Sequence, residues 1–205
     1  MKWGRACVRS AGDIASRMDN YLALTLVSGP TYCVLKGLSV AVGRPGRAQG
    51  ATWPPDVVLA MDPKFKKNHA LGDAHKCLSG DPVVSARFKR LLEAEGVPEV
   101  EFLPVAIRDH GGAIASSDYF FLHPVGSLDV IDLDASELVF DDEQTQGHVL
   151  DAPRLVIRET AIPPSALCFR LARYPVVILM RRSLTEAIEA AGLTGIKFRN
   201  VEDVS

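Results

Sequence analysis

The apolar residues of this chain repeat one pattern at two places, 96 positions apart. In each copy an apolar run precedes side chains at the three- and four-residue spacing that puts them on one helix face. The matched positions are Val84, Phe88, Leu91, Leu92, Gly96, Val100, Phe102 and Val105 in the first copy, and Met180, Leu184, Ala187, Ile188, Gly192, Ile196, Phe198 and Val201 in the second. Each copy therefore predicts a strand, a helix, a glycine that ends the helix, and a second strand.

The beginnings and ends of these helices can also be predicted. Ser85 is expected to cap the first helix, and Ser183 with Glu186 has the spacing of a capping box at the start of the second. Gly96 and Gly192 are expected to end the helices in the left-handed conformation, which glycine adopts without steric cost. The copies predict similar units, although a pattern with so few specified positions also arises by chance.

Short apolar segments elsewhere predict further strands. They are residues 21–27, 32–35, 57–61, 100–103, 119–122, 130–134, 155–157 and 168–171. Segment 130–134 alternates apolar and acidic residues, as a half-exposed strand does. Pro104 is expected either to end its strand or to lie at a sheet edge, since it cannot donate a ladder hydrogen bond. Many short strands with few helices indicate an α+β fold of mostly antiparallel sheets with a few helices packed on them.

The composition narrows the class of protein. The 205 residues include 23 basic and 25 acidic side chains, and the net charge of −2 argues against a general nucleic-acid binder. Asp13, Arg17 and Asp19 interrupt the region where a secretory signal would be continuously apolar. The apolar runs are also far shorter than a membrane span. We therefore expect one domain over residues 1–205, located in the cytoplasm and without a membrane partner.

The cysteines and histidines offer the densest potential chemistry. Cysteines at positions 7, 33, 77 and 168 form no close pair, which is typical of reduced and mostly buried thiols. His69, Asp73, His75 and Cys77 are potential metal ligands, but their spacing matches no common structural zinc site. On a helix, His75 would also leave the face that the other three share. A metal- or thiol-dependent enzyme that uses His69, His75 and Cys77 is one alternative function.

Other residues do not favour an enzyme. Asp129, Asp132, Asp134 and Glu137 lack the glycine and the terminal glutamate of a calcium loop, so a solvated strand face explains them. The sequence has no Gly-x-Ser-x-Gly elbow, phosphate-binding loop or dinucleotide-binding glycine motif. We therefore predict no catalytic, cofactor-binding or metal-binding residue and no enzymatic activity.

Several segments, taken in order, resemble a family of bacterial immunity proteins known as immunity protein eleven, formerly a domain of unknown function. They are residues 82–93, with a valine–serine pair before a helix, 101–105, 119–122, 128–136, 168–171 and 190–198. The resemblance covers residues 55–201, and the N-terminal part, residues 1–55, matches poorly.

The resemblance implies a binding function. Members of that family neutralise toxins of polymorphic and contact-delivered systems, so the implied partner is a cognate toxin whose active site or activation is blocked. The acidic segment Asp141, Asp142 and Glu143 is predicted to face a basic toxin, and a solvated hairpin tip is the alternative for it. A homo-oligomeric structural module without a toxin partner is the other alternative function.

Overall fold

The computed structural model describes residues 20–27, 31–36, 53–54, 56–78, 80–142 and 147–204. Within these ranges the chain forms β1 (Tyr21–Leu26), β2 (Val58–Ala60), β3 (Ala74–Lys76), β4 (Pro82–Ser85), α1 (Ala86–Ala94), β5 (Val100–Arg108), β6 (Ile114–Pro124), β7 (Ser127–Leu128), β8 (Glu137–Phe140), β9 (Val149–Arg154), β10 (Cys168–Leu171), β11 (Ile178–Arg181), α2 (Arg182–Ala190) and β12 (Ile196–Arg199). Single 3₁₀ turns lie at Pro63–Phe65, Glu159–Ala161 and Val201–Asp203. This content confirms the predicted α+β class.

Two five-stranded sheets hold most of these strands. The strand order is β2-β5-β6-β4-β3 in one, called here the N-terminal sheet, and β12-β1-β11-β10-β7 in the other, called the C-terminal sheet. Most neighbours are antiparallel, as predicted, while β2 with β5 and β7 with β10 are parallel pairs. Strands β8 and β9 form a separate antiparallel hairpin.

The two copies of the sequence pattern form equivalent units. β4 leads directly into α1 and β11 directly into α2, and each helix has nine residues. Ser85 caps α1 as predicted, accepting a hydrogen bond from the Phe88 N–H at 3.2 Å. Gly96 and Gly192 follow the helices with φ of 66° and 63°, the left-handed conformation that the sequence predicts.

Each unit has a middle strand with the same register. β6 lies between β4 and β5, and β1 lies between β11 and β12. Val83 pairs with Phe121 in the N-terminal sheet, and Leu179 pairs with Ala23 at the equivalent place in the C-terminal sheet. The pairs of β5 with β6 and of β12 with β1 follow the same correspondence. In the N-terminal unit the middle strand β6 follows the helix α1 along the chain, whereas in the C-terminal unit the middle strand β1 precedes the helix α2. The two units are therefore related by a circular permutation.

The middle strands also carry an equivalent tyrosine contact. The Tyr119 hydroxyl donates to the carbonyl oxygen of Gly72 at 2.7 Å, and the Tyr21 hydroxyl donates to that of Ala166 at 3.0 Å. Gly72 lies just before β3 and Ala166 just before β10, which are the strands that pair with β4 and β11. An aromatic ring of that strand lies beside each tyrosine, with ring centroids 5.6 and 5.5 Å apart.

The units bury their helices in one shared cluster. Its largest members are the fully buried residues of both helices and the strands beneath them, among them Val84, Phe88, Leu92, Leu122, Met180, Leu184 and Ile188. On the other face of the N-terminal sheet, Cys33 and Leu35 pack against side chains of the sheet, including Leu59 of its edge strand β2. The other face of the C-terminal sheet packs against residues between 130 and 166. Both sheets therefore have an apolar cluster on each face.

Asp73 connects the two units through hydrogen bonds. Its carboxylate accepts from the backbone N–H of Thr194 at 2.9 Å, from the Ser85 hydroxyl at 2.8 Å and from the Arg87 guanidinium at 3.3 Å. Thr194 belongs to the turn after α2, whereas Ser85 and Arg87 lie at the start of α1. One buried carboxylate thus holds the end of one helix unit against the beginning of the other.

The capping box predicted from Ser183 and Glu186 is wrong. α2 begins at Arg182, and Arg181, the residue before it, makes no side-chain cap. The backbone N–H of Arg182 instead donates to the carbonyl oxygen of Asn20 at 2.8 Å. A contact with a distant segment therefore satisfies the first donor of this helix, in place of a local side-chain cap.

The strands predicted at 130–134 and 155–157 are also wrong. These segments share a single bridging pair, Ile131 with Ile157. The Asp132 side chain accepts a hydrogen bond at 3.2 Å from the N–H three residues later, which makes a turn. A short carboxylate that bonds to nearby backbone favours turns over extended strands.

Two other sequence predictions differ in detail. Segment 32–35 makes isolated bridging pairs instead of a continuous strand. β5 runs through Pro104 to Arg108, and β2 pairs with it at residues 106–108. Pro104 lies outside the stretch that pairs with β2, which confirms the predicted sheet-edge position, although the strand does not end there. Its carbonyl oxygen accepts from the Trp53 indole at 2.9 Å.

The tyrosine contacts are expected to stabilise both units. Tyr119→Phe or Tyr21→Phe leaves a carbonyl oxygen without its donor and should lower the free energy of unfolding by about 1–2 kcal/mol. Tyr21→Phe should cost more, because its hydroxyl also accepts from Arg181 at 2.9 Å. Urea unfolding measures both. Tyr174→Phe is the control, since no hydrogen bond of its hydroxyl is found within the described ranges, and equal loss in all three variants would contradict the prediction.

Gly195 is expected to be sterically required. A Cβ there would lie 2.1 Å from the carbonyl oxygen of Ala74, and φ is 82°. Gly195→Ala should lower the free energy of unfolding by about 3 kcal/mol or more. Gly126→Ala is the matched control, because Gly126 has φ of 91° but no atom within 4 Å of such a Cβ. Equal destabilisation of the two variants would show that the close contact is unimportant.

Candidate partner-binding surface

The predicted set of His69, His75 and Cys77 is dispersed in the fold. His69 is exposed, and its Nδ1 lies 3.1 Å from the carbonyl oxygen of Lys67. His75 and Cys77 are each 1% exposed, and the sulfur that contacts His75 belongs to Cys33, at 3.4 Å. No three His, Cys, Asp or Glu side chains in the described ranges are placed to hold a metal ion.

The hydrogen bonds of His75 define its protonation state. The Gly72 N–H donates to Nε2 at 2.9 Å, so Nε2 carries no proton. Nδ1 therefore carries the ring proton and donates to the carbonyl oxygen of Cys33 at 3.2 Å. Burial lowers the pKa of His75 and raises the pKa of the Cys33 thiol to about 11. The pair is a hydrogen-bonded part of the core, without the thiolate that a cysteine nucleophile needs.

The carboxylates Asp129, Asp132, Asp134 and Glu137 do not form a common site. Asp129 pairs with Arg173 at 3.2 Å, and Asp132 closes its own turn. Asp134 and Glu137 are exposed. Solvent exposure, and not a shared cation, accounts for these two side chains.

The hairpin of β8 and β9 covers the C-terminal sheet with one of its faces. Leu138, Phe140, Val149 and Ala152 pack into the cluster on that sheet. The backbone N–H of Val149 also donates to a carbonyl oxygen of the β10–β11 turn at 2.8 Å. The residues between these four within the strands, Val139, Leu150 and Asp151, are exposed. Leu150 and Asp151 are consecutive and both exposed because an irregularity in the register interrupts the normal alternation of side chains in β9.

Two of the predicted partner-binding residues, Asp141 and Asp142, directly follow β8. Asp141 and Asp142 are exposed, and Glu143 lies outside the described residues. The Asp141 side chain accepts a hydrogen bond from the His148 N–H at 2.8 Å. The Asp141 N–H in turn donates to the His148 carbonyl oxygen at 2.9 Å. Asp141 therefore closes the hairpin, a structural role that its sequence context did not predict.

The outward surface of the hairpin combines apolar and acidic side chains. We call this surface the hairpin face; its exposed members are Glu137, Val139, Asp141, Asp142, His148, Leu150, Asp151, Pro153 and Arg154. Val139 and Leu150 are 48% and 63% exposed, which is high for large apolar residues. Val139 lies between Leu138 and Phe140, and Leu150 follows Val149, so both belong to short apolar runs whose outward members the sequence did not predict.

Comparison with known families identifies the chain. A model of the immunity protein family Imm11 matches residues 18–203. The chain belongs to the Imm11 family. In this Imm11 protein the match begins well before residue 55, where the resemblance was predicted to start. It includes β1, which the fold needs as the middle strand of the C-terminal sheet. A search of curated proteins finds no match. Neither helix of this Imm11 protein, within its described part, is long and apolar enough to cross a membrane.

The buried histidines of this Imm11 protein predict a pH dependence of stability. Burial lowers the pKa of both His75 and His123 below the ordinary value of 6.5. The unfolded chain therefore binds protons at these sites that the native protein does not, and the free energy of unfolding should fall as pH drops below 6.5.

Thermal unfolding between about pH 5 and 8 tests this dependence. His123→Gln removes one of the two titrating rings and should flatten the decline. His110→Gln, which removes an exposed ring, is the control. A slope that is the same in both variants and the wild type would contradict a contribution from His123.

Proposed function

We propose that this Imm11 protein acts in the cytoplasm as a non-enzymatic inhibitor that binds a cognate toxin and blocks it. The family match over residues 18–203 carries this proposal. Inhibition by binding requires a rigid surface and a few well-placed contacts, and no reacting group. The double-sheet scaffold, with an apolar cluster on each face of both sheets, supplies such rigidity.

The state of the potential nucleophiles supports binding over catalysis. His75 uses both ring nitrogens in hydrogen bonds, and burial keeps Cys33 protonated. Cys77 is 1% exposed. A partner or substrate therefore has no access to these three side chains in this conformation.

The acidic residues Asp141, Asp142 and Glu143 are proposed to contact the toxin. Asp141 and Asp142 are exposed, and a carboxylate at a surface accelerates encounter with a basic partner and is screened by salt. These contacts would lie at the rim of an interface.

A protection assay with a stoichiometric titration tests the proposal. The probe is the C-terminal domain of the cognate toxin, which we expect the gene beside this one to encode, produced in bacterial cells with and without the Imm11 protein. Growth should be restored by co-expression. In vitro, toxin activity should fall linearly and reach zero near one equivalent, because each inhibitor molecule occupies one toxin.

The titration separates binding from catalysis. A protein that modifies the toxin enzymatically would inactivate it at far below one equivalent, and that result would overturn the proposed mechanism. His69→Ala with Cys77→Ala provides the matched variant, and protection should be unchanged in it. Sedimentation of the isolated protein and of its mixture with inactive toxin should show a new complex; the absence of one would also contradict the proposal.

A further inference from the structure

The hairpin of β8 and β9 is an addition to the repeated architecture. Each unit consists of a helix, the two strands that flank it in the sequence, a middle strand between those two, and a fourth strand, which is β3 in one unit and β10 in the other. β7 already lies beside β10, with Leu128 opposite Leu171. The hairpin is inserted between β7 and β10 and makes its own two-stranded sheet. Its inward face covers a core, but its outward face has no counterpart in the repeat.

The outward face presents two neighbouring apolar side chains to solvent. Val139 lies opposite Asp151, and Phe140 lies opposite Val149, so Leu150 falls at the irregularity between these pairs. Phe140 and Val149 point inward. Val139 and Leu150 therefore share the outward face, and more than half of the Leu150 side chain is exposed.

The charges around this apolar pair have one predominant sign. The described part of the hairpin face contains four acidic side chains and one basic side chain, Arg154. An interface core that is apolar and surrounded by charged residues is the common anatomy of a protein–protein contact. The acidic surround selects a partner surface rich in Lys and Arg.

We infer that the hairpin face is the docking surface for the toxin, and that the toxin presents an apolar depression ringed by basic side chains. This inference rests on the proposed function and assigns it a surface. Val139 and Leu150 are the anchors that enter the depression, and Glu137 and Asp151 contribute to the charged rim.

The same charges disfavour the other occupants of this face. A symmetric contact between two copies would place each face against itself, so that four carboxylates on one copy would meet four on the other. Nucleic acids and anionic membrane surfaces repel an acidic patch as well. A basic protein surface is the partner that satisfies both the apolar centre and the acidic rim.

Binding kinetics of the variants test the anchors and the rim separately. The probe is the same toxin domain, inactivated by substitution and immobilised. Val139→Ser with Leu150→Ser should weaken binding by about 10- to 100-fold, mainly through faster dissociation. Glu137→Gln with Asp151→Asn should slow association and reduce its dependence on salt. Asp141 is left intact because it closes the hairpin tip.

A matched control uses exposed apolar residues of the N-terminal sheet side. Leu78 and Ile114 are 58% and 51% exposed, so Leu78→Ser with Ile114→Ser removes a comparable apolar surface outside the hairpin. This variant should bind like the wild type. Thermal unfolding of every variant identifies those that lose binding by failing to fold, and for these Val139→Ala with Leu150→Ala replaces the serine pair.

The outcomes distinguish this inference from the proposed function. If the wild type fails to bind the toxin, the proposed function fails. If the wild type binds and the anchor variants bind equally well, the toxin docks elsewhere and the hairpin inference is overturned. A loss in the control variant that matches the loss in the anchor variant would likewise overturn it.

Discussion

The shared apolar cluster between the two units is the interaction on which the rest of the structure depends. Each helix has one apolar stripe, and each sheet has one face beneath its helix, so neither unit can bury these surfaces alone. Phe88 and Leu92 of α1 and Leu184 and Ile188 of α2 are all at most 2% exposed because the units face each other. Deep burial of four such side chains is worth several kcal/mol, on the order of 1.5–3 kcal/mol each.

Polar contacts determine how the two units are oriented. Apolar packing is not directional, whereas the carboxylate of Asp73 accepts hydrogen bonds from both units at defined angles and distances. Gly195 allows the turn after α2 to approach the backbone of Ala74, where a Cβ would collide. The cluster supplies the stability of the arrangement, and these contacts supply its geometry.

The repeated architecture also separates residues that maintain the fold from residues available to a partner. The tyrosine-to-carbonyl contact, the glycine after each helix and the register of the middle strand recur in both units, so they serve the scaffold. The hairpin of β8 and β9 recurs in neither. An inserted element can vary its outward side chains without disturbing the repeat, which suits a protein that must match one particular toxin.

Local sequence determined the elements whose signals are local. The apolar stripes and glycines of both helices, the Ser85 cap and most strands follow from side-chain spacing and backbone preference within a few residues. Tertiary structure alone decided the start of α2, where the Arg182 N–H donates to the carbonyl oxygen of Asn20 in a distant segment. It also decided the contact between His75 and Cys33, which are 42 residues apart in the sequence. It also decided that segment 130–134 turns and that Val139 and Leu150 share an outward face. A sequence pattern specifies which side chains prefer burial, but the partner that buries them, or leaves them exposed, is defined only when distant segments meet.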